Sequence, residues 1–439
     1  MAGGTWTTQS KIRPGAYINV RSNSMNISMS ETRGIVTMPW AGGFGTVGEI
    51  IELTPTTNTL NILGYSLGAP EMLTIREAFK RASQLLIYRV GGGTPATITD
   101  NGLTITAQHV GGRGNDITVK IRQDVDNESI FIVQTFLASA RVAEQRASTI
   151  EELVANDFVR FSGAGVLANK SGLVLTGGTD AQPTSGDYSQ YFEALEAYEF
   201  NTMALPIEDA SVKQVGVAYI ERLRNDEGRK CQLVVAGVTA DSEAVINVKN
   251  GVILSDNTVV EPHLATAWVA AATAGANINE SNTNSVYAQA VNVTERYSNT
   301  KIEQALLRGE FVFTERRGQV RVEQDINSLT SFSVEKNEAF SKNRVIRVLD
   351  GIVNMVSNAF INSFMGTVTN NAQGRNVLKS MIIEGLDDMQ NVGAVENFSA
   401  DDVVVVMGLT KHAVVANLYV QPTDAIEQLY MDVTVVKED

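Results

Sequence analysis

The side chains that most often carry catalysis or bind metals are few in this sequence and far apart. There are three histidines, His109, His263 and His412, and one cysteine, Cys231. A zinc site or an activated thiol needs several such side chains close together. Cys231 lies in the apolar run CQLVVAG, where a buried structural cysteine is expected. The residues therefore predict neither a metal site nor a catalytic cysteine.

The glycine-rich stretch GGRGND, residues 111–116, is the nearest approach to a phosphate-binding loop. It lacks the Gly-Lys-Ser/Thr ending of a P-loop, and no helical pattern follows it. A turn between two strands is the simpler interpretation. The carboxylates are spread along the chain without a pair that periodicity places in one cleft. We therefore expect a protein that is not an enzyme and holds no cofactor.

Composition excludes several partners. The formal net charge of −14 argues against nucleic-acid binding, which depends on Lys and Arg neutralising phosphates. The longest apolar stretch, 264–276, is shorter than the roughly 20 residues of a membrane-spanning helix. The first 15 residues contain no apolar run typical of a signal peptide. We expect no nucleic-acid partner, no membrane insertion and, from 439 residues, two or three domains.

The elements that would position any site form an α/β domain interrupted by a β-rich insert. Helices and apolar strands alternate before the glycines 91–93 and after the glycines 177–178, and turn-separated β-like runs lie between. We predict helices over 71–83, 149–156, 344–364 and 375–389, one strand over 310–317 and a hairpin over 403–420. The predicted segments are 1–30 (N-terminal arm), 31–93 and 178–328 (α/β core), 94–177 (inserted β-rich domain), 329–420 (C-terminal α+β domain) and 421–439 (C-terminal arm).

A strand-like alternation occurs near each end of the chain. The N-terminal strand comprises Ala16, Tyr17, Ile18, Asn19 and Val20. The C-terminal strand comprises Leu429, Tyr430, Met431, Asp432, Val433, Thr434 and Val435. Strands need partners for their backbone N–H and C=O groups, so these two pair either within the chain or with the sheets of neighbouring copies. Head-to-tail exchange between copies would build an open helical assembly.

Four stretches of the sequence resemble contractile phage tail sheath proteins. They are the opening GGTWTTQSKIRPGAYINV, the run GEFVFTERRGQVRVEQDINSLTSF, the run KNRVIRVLDGI, and the ending VVVVMG with PTDAIEQLYMDVTV. The similarity covers essentially the whole chain, in family order. It is strongest to the shorter prophage-type sheaths of Gram-positive bacteria, including those of phage-tail-like bacteriocins.

The resemblance implies a fold and a function. The fold would be an α/β core of subtilisin-like topology, an inserted β-sandwich, an α+β C-terminal domain and terminal arms that donate strands to adjacent subunits. No subtilase Asp, His or Ser motif is present, so no protease activity is implied. The function would be that of a structural subunit, which polymerises helically around a tail tube and contracts from a metastable extended state to drive the tube through the target cell envelope.

The resemblance also implies partners and a location. The partners would be further copies of the chain, the tail tube protein, and the baseplate and tail terminator proteins. The location would be a virion tail or a bacteriocin particle, assembled in the cytoplasm of the bacterial host. The alternatives are a tail tube or baseplate protein of the same machine, and a degenerate subtilisin-like hydrolase.

In this family a helix of the C-terminal domain lines the inner face of the sheath. The helix predicted over 375–389 is the first candidate, and the helix over 344–364 is the alternative. The polar residues that would face the tube are Arg375, Lys379, Glu384, Asp387 and Asp388. Pro14-Gly15 and Gln421-Pro422 are the predicted hinge edges of the two arms.

Overall fold

The computed structural model describes residues 33–435 and, of the N-terminal segment, the backbone of two short strands. These are β1 (Ala2–Gly4) and β2 (Gly15–Tyr17), which pair in parallel. Ala16 and Tyr17 of the predicted N-terminal strand therefore lie in β2. Ile18, Asn19 and Val20 lie outside the described residues, as does the hinge residue Pro14.

The first part of the central domain supplies three strands of a seven-stranded sheet. Its elements are β3 (Ile35–Trp40), β4 (Ile50–Leu53), α1 (Thr59–Leu63), α2 (Leu73–Phe79) and β5 (Gln84–Arg89). The helix predicted over 71–83 is shorter than expected. It ends at Phe79 because the chain turns to place the backbone N–H groups of Ser83 and Gln84 on the carbonyl oxygen of Gly34, at 2.9 and 3.2 Å.

Apart from two 3-10 turns, the regular elements of the insert are strands. They are β6 (Gly93–Thr94), β7 (Thr97–Asp100), β8 (Leu103–Ala107), β9 (Ile117–Gln123), β10 (Phe131–Leu137), β11 (Ala140–Ala147), β12 (Val159–Gly163), β13 (Lys170–Val174) and β14 (Thr179–Asp180). One sheet has the order β11-β10-β9-β13 and the other β12-β8-β7, and β6 pairs with β14 where the chain enters and leaves. Alternate residues of β8 and β9 are buried in one shared apolar cluster. This is a β-sandwich arrangement.

The helix predicted over 149–156 is wrong, apart from a single 3-10 turn at Ile150–Glu152. The side-chain amide of Gln145 donates to the carbonyl oxygen of Val154 and accepts from its N–H group, both at 2.9 Å. The Asn156 side chain then accepts from the N–H groups of Phe158 and Val159, where the chain enters β12. These side chains supply the hydrogen bonds that a helix would have formed within itself.

The chain then returns to the central domain. The elements are α3 (Ser185–Ala194), β15 (Thr202–Ala204), α4 (Ala210–Asn225), β16 (Gln232–Ala236), β17 (Val245–Val248), β18 (Val252–Leu254), β19 (Val259–Val260), α5 (Pro262–Gly275), β20 (Ala290–Val293), α6 (Asn299–Leu307), β21 (Glu310–Phe311), β22 (Phe313–Arg316) and β23 (Gln319–Val322). The main sheet has the order β21-β17-β16-β15-β3-β5-β4, parallel except for the edge strand β4.

The main sheet is covered on both faces. Successive residues of its strands alternate between an apolar cluster with α2 and α5 and a second cluster with α3 and α4. Burial on two sides explains why these strands read as continuous apolar runs in the sequence. The α/β part of the predicted fold class and the β-sandwich insert are both confirmed.

The strand predicted over 310–317 is divided in two. β21 joins the main sheet, whereas β22 turns away to form a hairpin with β23. The side-chain amide of Asn250 pairs with the backbone N–H and C=O groups of Phe313, both at 2.9 Å. This amide takes the place of a neighbouring strand, so the chain leaves the sheet at Val312.

The C-terminal domain contains α7 (Asn343–Ala359), α8 (Ala372–Asn391), β24 (Val395–Glu396), β25 (Val403–Met407), β26 (Val414–Leu418) and β27 (Gln421–Pro422). A turn of π-helix over Phe360–Phe364 extends α7 as far as predicted. The two predicted helices and the hairpin β25–β26 are confirmed. Because β27 pairs with β24, Gln421-Pro422 is fixed in a sheet, and the hinge predicted there is wrong for this arrangement.

Helix α7 is attached to the central domain by buried charged groups. The guanidinium of Arg224 in α4 donates to both carboxylate oxygens of Asp350, at 2.6 and 2.9 Å. The fully buried Arg347 donates to the carbonyl oxygens of Thr273 and Glu280. The first half of α7 is therefore an internal element of the molecule.

Candidate functional site: the assembly surfaces

The structure places the residues suited to chemistry in three different domains. His109 lies in the insert, with its ring edge-on to Phe44 at 4.7 Å, and burial lowers its pKa. His263 lies in the first turn of α5, and His412 lies in the turn of the β25–β26 hairpin. Burial raises the pKa of Cys231 to about 12, which keeps its thiol protonated and unreactive near neutral pH. Within residues 33–435 no three His, Cys, Asp or Glu side chains are grouped as metal ligands.

The glycine-rich stretch 111–116 joins the insert to the central domain. It forms a 3-10 turn at Gly112–Asp116, and the N–H of Gly112 donates to the carboxylate of Asp180 at 2.9 Å. A side chain at Gly111 would collide with the carbonyl oxygen of Gly43, so only glycine permits this approach. The stretch is a turn between β8 and β9, as predicted, and it also contacts the central domain.

One motif was missed in the sequence. Residues 64–68 read Gly-Tyr-Ser-Leu-Gly, which matches the Gly-x-Ser-x-Gly pattern of hydrolases. In those enzymes the serine stands on a turn between a strand and a helix. Here Ser66 follows α1 and precedes a 3-10 turn, so its hydroxyl is not presented in that way.

The chain beyond β27 exposes a row of apolar side chains. Residues 423–435 form no helix or strand. The exposed side chains include Leu429 (82%), Tyr430 (87%), Met431 (74%), Val433 (70%) and Val435 (90%). No hydrogen bond among the described residues joins 428–435 to the rest of the molecule, and the Tyr430 hydroxyl donates to Gln428 within this segment. The arm predicted to begin at residue 421 is free only from residue 428, because β27, Thr423 and Glu427 are joined to the body. From here on the C-terminal arm means residues 428–435. Its apolar side chains have no partner within the described part of the chain.

The outer end of the segment that precedes the arm, residues 423–427, is held by one carboxylate. We call this segment the root of the arm. Glu427 accepts hydrogen bonds from Thr283 Oγ1 at 2.6 Å, from Gln324 Nε2 at 2.7 Å and from Lys342 Nζ at 2.6 Å. Burial would raise the pKa of Glu427, but the bonds from Gln324, Lys342 and Thr283 outweigh it and lower that pKa. The carboxylate is therefore ionised at neutral pH and bound to the subunit's own body.

Sequence reasoning did not identify Glu427, and no local signal marks it. Its three partners lie 144, 103 and 85 residues earlier in the chain. Nothing in the stretch AIEQLY distinguishes this carboxylate from the exposed Asp424 three residues before it. Only the folded arrangement shows that the predicted C-terminal strand is fixed at its root and free beyond it.

The hairpin β25–β26 is a sheet of two strands with open edges. Val403, Val405, Val414 and Leu418 pack toward α8 and the apolar core of the C-terminal domain. On the other face Val404, Val406 and Val415 are between 40 and 45% exposed. No other strand of residues 33–435 pairs with either edge. The backbone N–H and C=O groups along both outer edges of the hairpin therefore have no partner strand within these residues.

Helix α8 presents three of its five predicted tube-facing residues to solvent. Leu378, Ile382 and Leu386 are buried against α7, as the periodicity predicted. Glu384, Asp387 and Asp388 are exposed on one face, because their spacing of three and four residues places them together. Arg375 and Lys379 are half-buried, and Arg375 Nη1 donates to Asn370 Oδ1 at 3.0 Å.

Models of phage tail sheath proteins match four consecutive segments of the chain. They are the "Gp18 domain III N-terminal region" at residues 33–90, the β-sandwich domain at 91–180, the central domain at 181–328 and the C-terminal domain at 335–436. The crystal structure of a sheath tail protein from Desulfitobacterium hafniense is 44% identical, with a TM-score of 0.87, over 95% of this chain and 99% of that one. The chain belongs to the phage tail sheath family.

Two further comparisons extend this assignment. The phage-like element PBSX protein XkdK of Bacillus subtilis (strain 168) is 36% identical over 99% of this sheath protein and all of its own length. The helical sheath of the anti-feeding prophage, solved in its contracted state, is 12% identical with a TM-score of 0.59, and shares the fold over 96% of this chain and 98% of that one. The predicted resemblance is confirmed, and the family is that of the sheath rather than of the tube. In the described part of this sheath protein, every helix is too short or too polar to cross a membrane.

Proposed function

We propose that this tail sheath subunit polymerises helically around a tail tube and contracts from a metastable extended state to drive the tube through a target cell envelope. The observation that carries the proposal is the C-terminal arm. It is an exposed, strand-patterned segment without a partner in the described part of the chain, on a protein of a family that forms sheaths.

In this proposal the arm of one copy adds to an open edge of the β25–β26 hairpin of another copy. Apolar side chains on alternate positions of the arm would cover exposed valines of the hairpin, and backbone hydrogen bonds would join the strands. The N-terminal strand, Gly15 to Val20, would be donated in the same way. The donating and accepting surfaces differ, so each contact is heterologous and the assembly stays open at its ends.

Contraction would move each subunit largely as a rigid body while its arms remain paired. The buried ion pair between Arg224 and Asp350 supports this, because it ties the C-terminal domain to the central sheet. We propose no catalytic step and no cofactor. We also propose the subtilisin-like topology for the central domain, which the mainly parallel sheet between two helical layers supports.

The proposed partners are those of a complete tail. They are further copies of this chain, the tail tube protein, and the baseplate and tail terminator proteins, with assembly in the cytoplasm of the bacterial host. The particle would be a phage virion or a phage-tail-like bacteriocin. The sheath structure of the anti-feeding prophage, whose fold this chain shares, supports a place in such a contractile machine.

The first prediction concerns assembly itself. Negative-stain electron microscopy of the full-length protein, mixed with its tube protein and baseplate, should show tubes surrounded by a regular sheath. A wider, shorter sheath with an emerging tube should appear after mild denaturant or acid. Monomers that remain dispersed beside bare tubes would contradict the proposal, and a sheath that never shortens would contradict its contractile part.

The second prediction concerns the face of α8 that carries Glu384, Asp387 and Asp388. We expect Asp387→Lys combined with Asp388→Lys to lower the fraction of sheathed tubes by more than about tenfold. A single exposed ion pair contributes only about 0.5 kcal/mol, but this contact would recur in every subunit. The burial of the first half of α7 supports the choice of α8.

The matched control reverses two exposed helical carboxylates of the central domain, Glu193→Lys with Glu303→Lys, which changes the net charge equally. Co-sedimentation of the subunit with preformed tubes measures both. Equal loss of binding in the two variants would show that net charge matters rather than α8. Unchanged binding in the α8 variant would assign the tube contact to another surface.

A further inference from the structure

The C-terminal segment changes from fixed to free within a few residues. Up to Glu427 it is held by the body, and the Glu427 side chain is only 13% exposed. Leu429 is 82% exposed, and the side chains beyond it are similarly open. Gln428 lies between the anchored root and the arm.

The root is attached at two points, both near the start of α7. Arg344 Nη2 donates to Thr423 Oγ1 at 2.9 Å, and Lys342 Nζ donates to the Glu427 carboxylate at 2.6 Å. The two attached residues are four apart, which corresponds to about 13 Å of extended chain. Two points of attachment fix the direction in which the arm leaves the body as well as its position.

The attachment at Glu427 depends on hydrogen bonds rather than on apolar packing. Ile426, the residue before Glu427, is 96% exposed, so it contributes no burial. Both oxygens of Glu427 are used, Oε1 by Thr283 and Oε2 by Gln324 and Lys342. Charge-assisted bonds of this kind are stronger than neutral ones. Removal of the one carboxylate should therefore release the segment around it.

We propose that Glu427 is the positioning residue of the C-terminal arm. It anchors the root to the subunit's own body, and the arm pivots at Gln428. A neighbour that holds the arm would then pull on the central domain through Thr283 and Gln324 and on the C-terminal domain through Lys342. The role in assembly rests on the proposed exchange of arms, whereas the anchor is a property of the single subunit and can be tested alone.

The test on single subunits uses a fluorophore attached through one introduced cysteine, because the native Cys231 is buried and its pKa is raised to about 12. The root probe is Ile426→Cys and the arm probe is Thr434→Cys, both at exposed positions. Fluorescence anisotropy in the unmodified background should be high for the root probe and low for the arm probe. In Glu427→Ala the anisotropy of the root probe should fall to that of the arm probe.

The matched control is Asp424→Ala, which removes an exposed root carboxylate that bonds only within its own turn. It should leave the root probe unchanged. Lys342→Met removes one of the three donors to Glu427 and should partly mobilise the root. Because it leaves Glu427 unchanged, it tests the same contact even if Glu427→Ala fails to fold. A root probe that stays restrained in Glu427→Ala, or that moves freely in the unmodified background, would overturn the anchor.

The test on assembly measures how fast the same variants form sheaths when tube and baseplate are present. Without the anchor, the free segment would begin at residue 424 instead of residue 428. Effective concentration falls with about the three-halves power of length, so assembly should slow by about twofold from this cause alone. Normal assembly of a Glu427→Ala subunit with a mobile root would overturn the role in assembly and keep the anchor. Failure of the unmodified protein to assemble would instead count against the proposed function.

Discussion

Deletion of residues 428–439 should abolish assembly into sheaths and leave the subunit folded. The described residues beyond Glu427 are exposed and form no hydrogen bond to the rest of the described chain, so their loss removes little that stabilises the monomer. If these residues add a strand to the hairpin of a neighbouring copy, their loss removes the strand that joins the two copies. Negative-stain microscopy measures assembly, and thermal unfolding measures the monomer, whose melting temperature should change by no more than about 2 °C.

The position of the cut matters. A chain ending at Gln421 would divide β27 and remove both Thr423 and Glu427, which belong to the body. Loss of assembly in that shorter chain could then arise from damage to the C-terminal domain. A chain ending at Glu427 keeps these contacts and removes only the arm.

A pair of point variants provides the matched control within the arm. Val433→Asp and Thr434→Asp introduce the same charge at adjacent positions, which point to opposite faces of a strand. If the arm joins a sheet with Val433 facing a neighbour's apolar surface, Val433→Asp should prevent assembly and Thr434→Asp should weaken it far less. Full assembly of the truncated chain would remove the arm from the mechanism, and equal effects of the two point variants would argue against pairing as a strand.

Replacement of Asp350 by alanine should destabilise the subunit by about 3–5 kcal/mol, because it leaves a buried guanidinium without its counter-ion. The side chains of Arg224 and Asp350 are 6 and 14% exposed, so solvent screens their interaction weakly. The pair joins α4 of the central domain to α7 of the C-terminal domain. We therefore also expect the variant to loosen the connection through which contraction would move the two domains as one body.

A double-mutant cycle separates the pair from the cost of the single changes. Arg224→Met with Asp350→Leu should restore most of the stability, since neither charge then remains buried alone. The control is Glu196→Ala, which breaks an exposed ion pair with Arg222, a residue of α4 like Arg224. It should cost less than about 1 kcal/mol of stability. Urea unfolding of the chain ending at Glu427 measures all of these without interference from polymerisation. A loss below about 1 kcal/mol in Asp350→Ala would show that the pair does not join the domains.

The elements that the sequence predicted well are those whose determinants are local. The spacing of apolar residues three and four apart placed α7 and α8, and the valine runs placed the hairpin β25–β26, because side chains on one face of a helix or strand recur at a fixed period. The elements that it missed depend on side chains that act in place of a helix turn or a neighbouring strand. Gln145 and Asn156 replace the helix expected near Ile150, and Asn250 ends β21 from a position 63 residues before Phe313.

The sequence by itself determined the family, the combination of mixed α/β content with a β-rich insert, and the presence of an apolar strand pattern at the C-terminal end. Only the tertiary structure decided where that end is anchored and which carboxylates of α8 are free. The physical reason is distance along the chain. The Glu427 carboxylate takes its hydrogen bonds from residues 85 to 144 positions away, and no local pattern records such contacts.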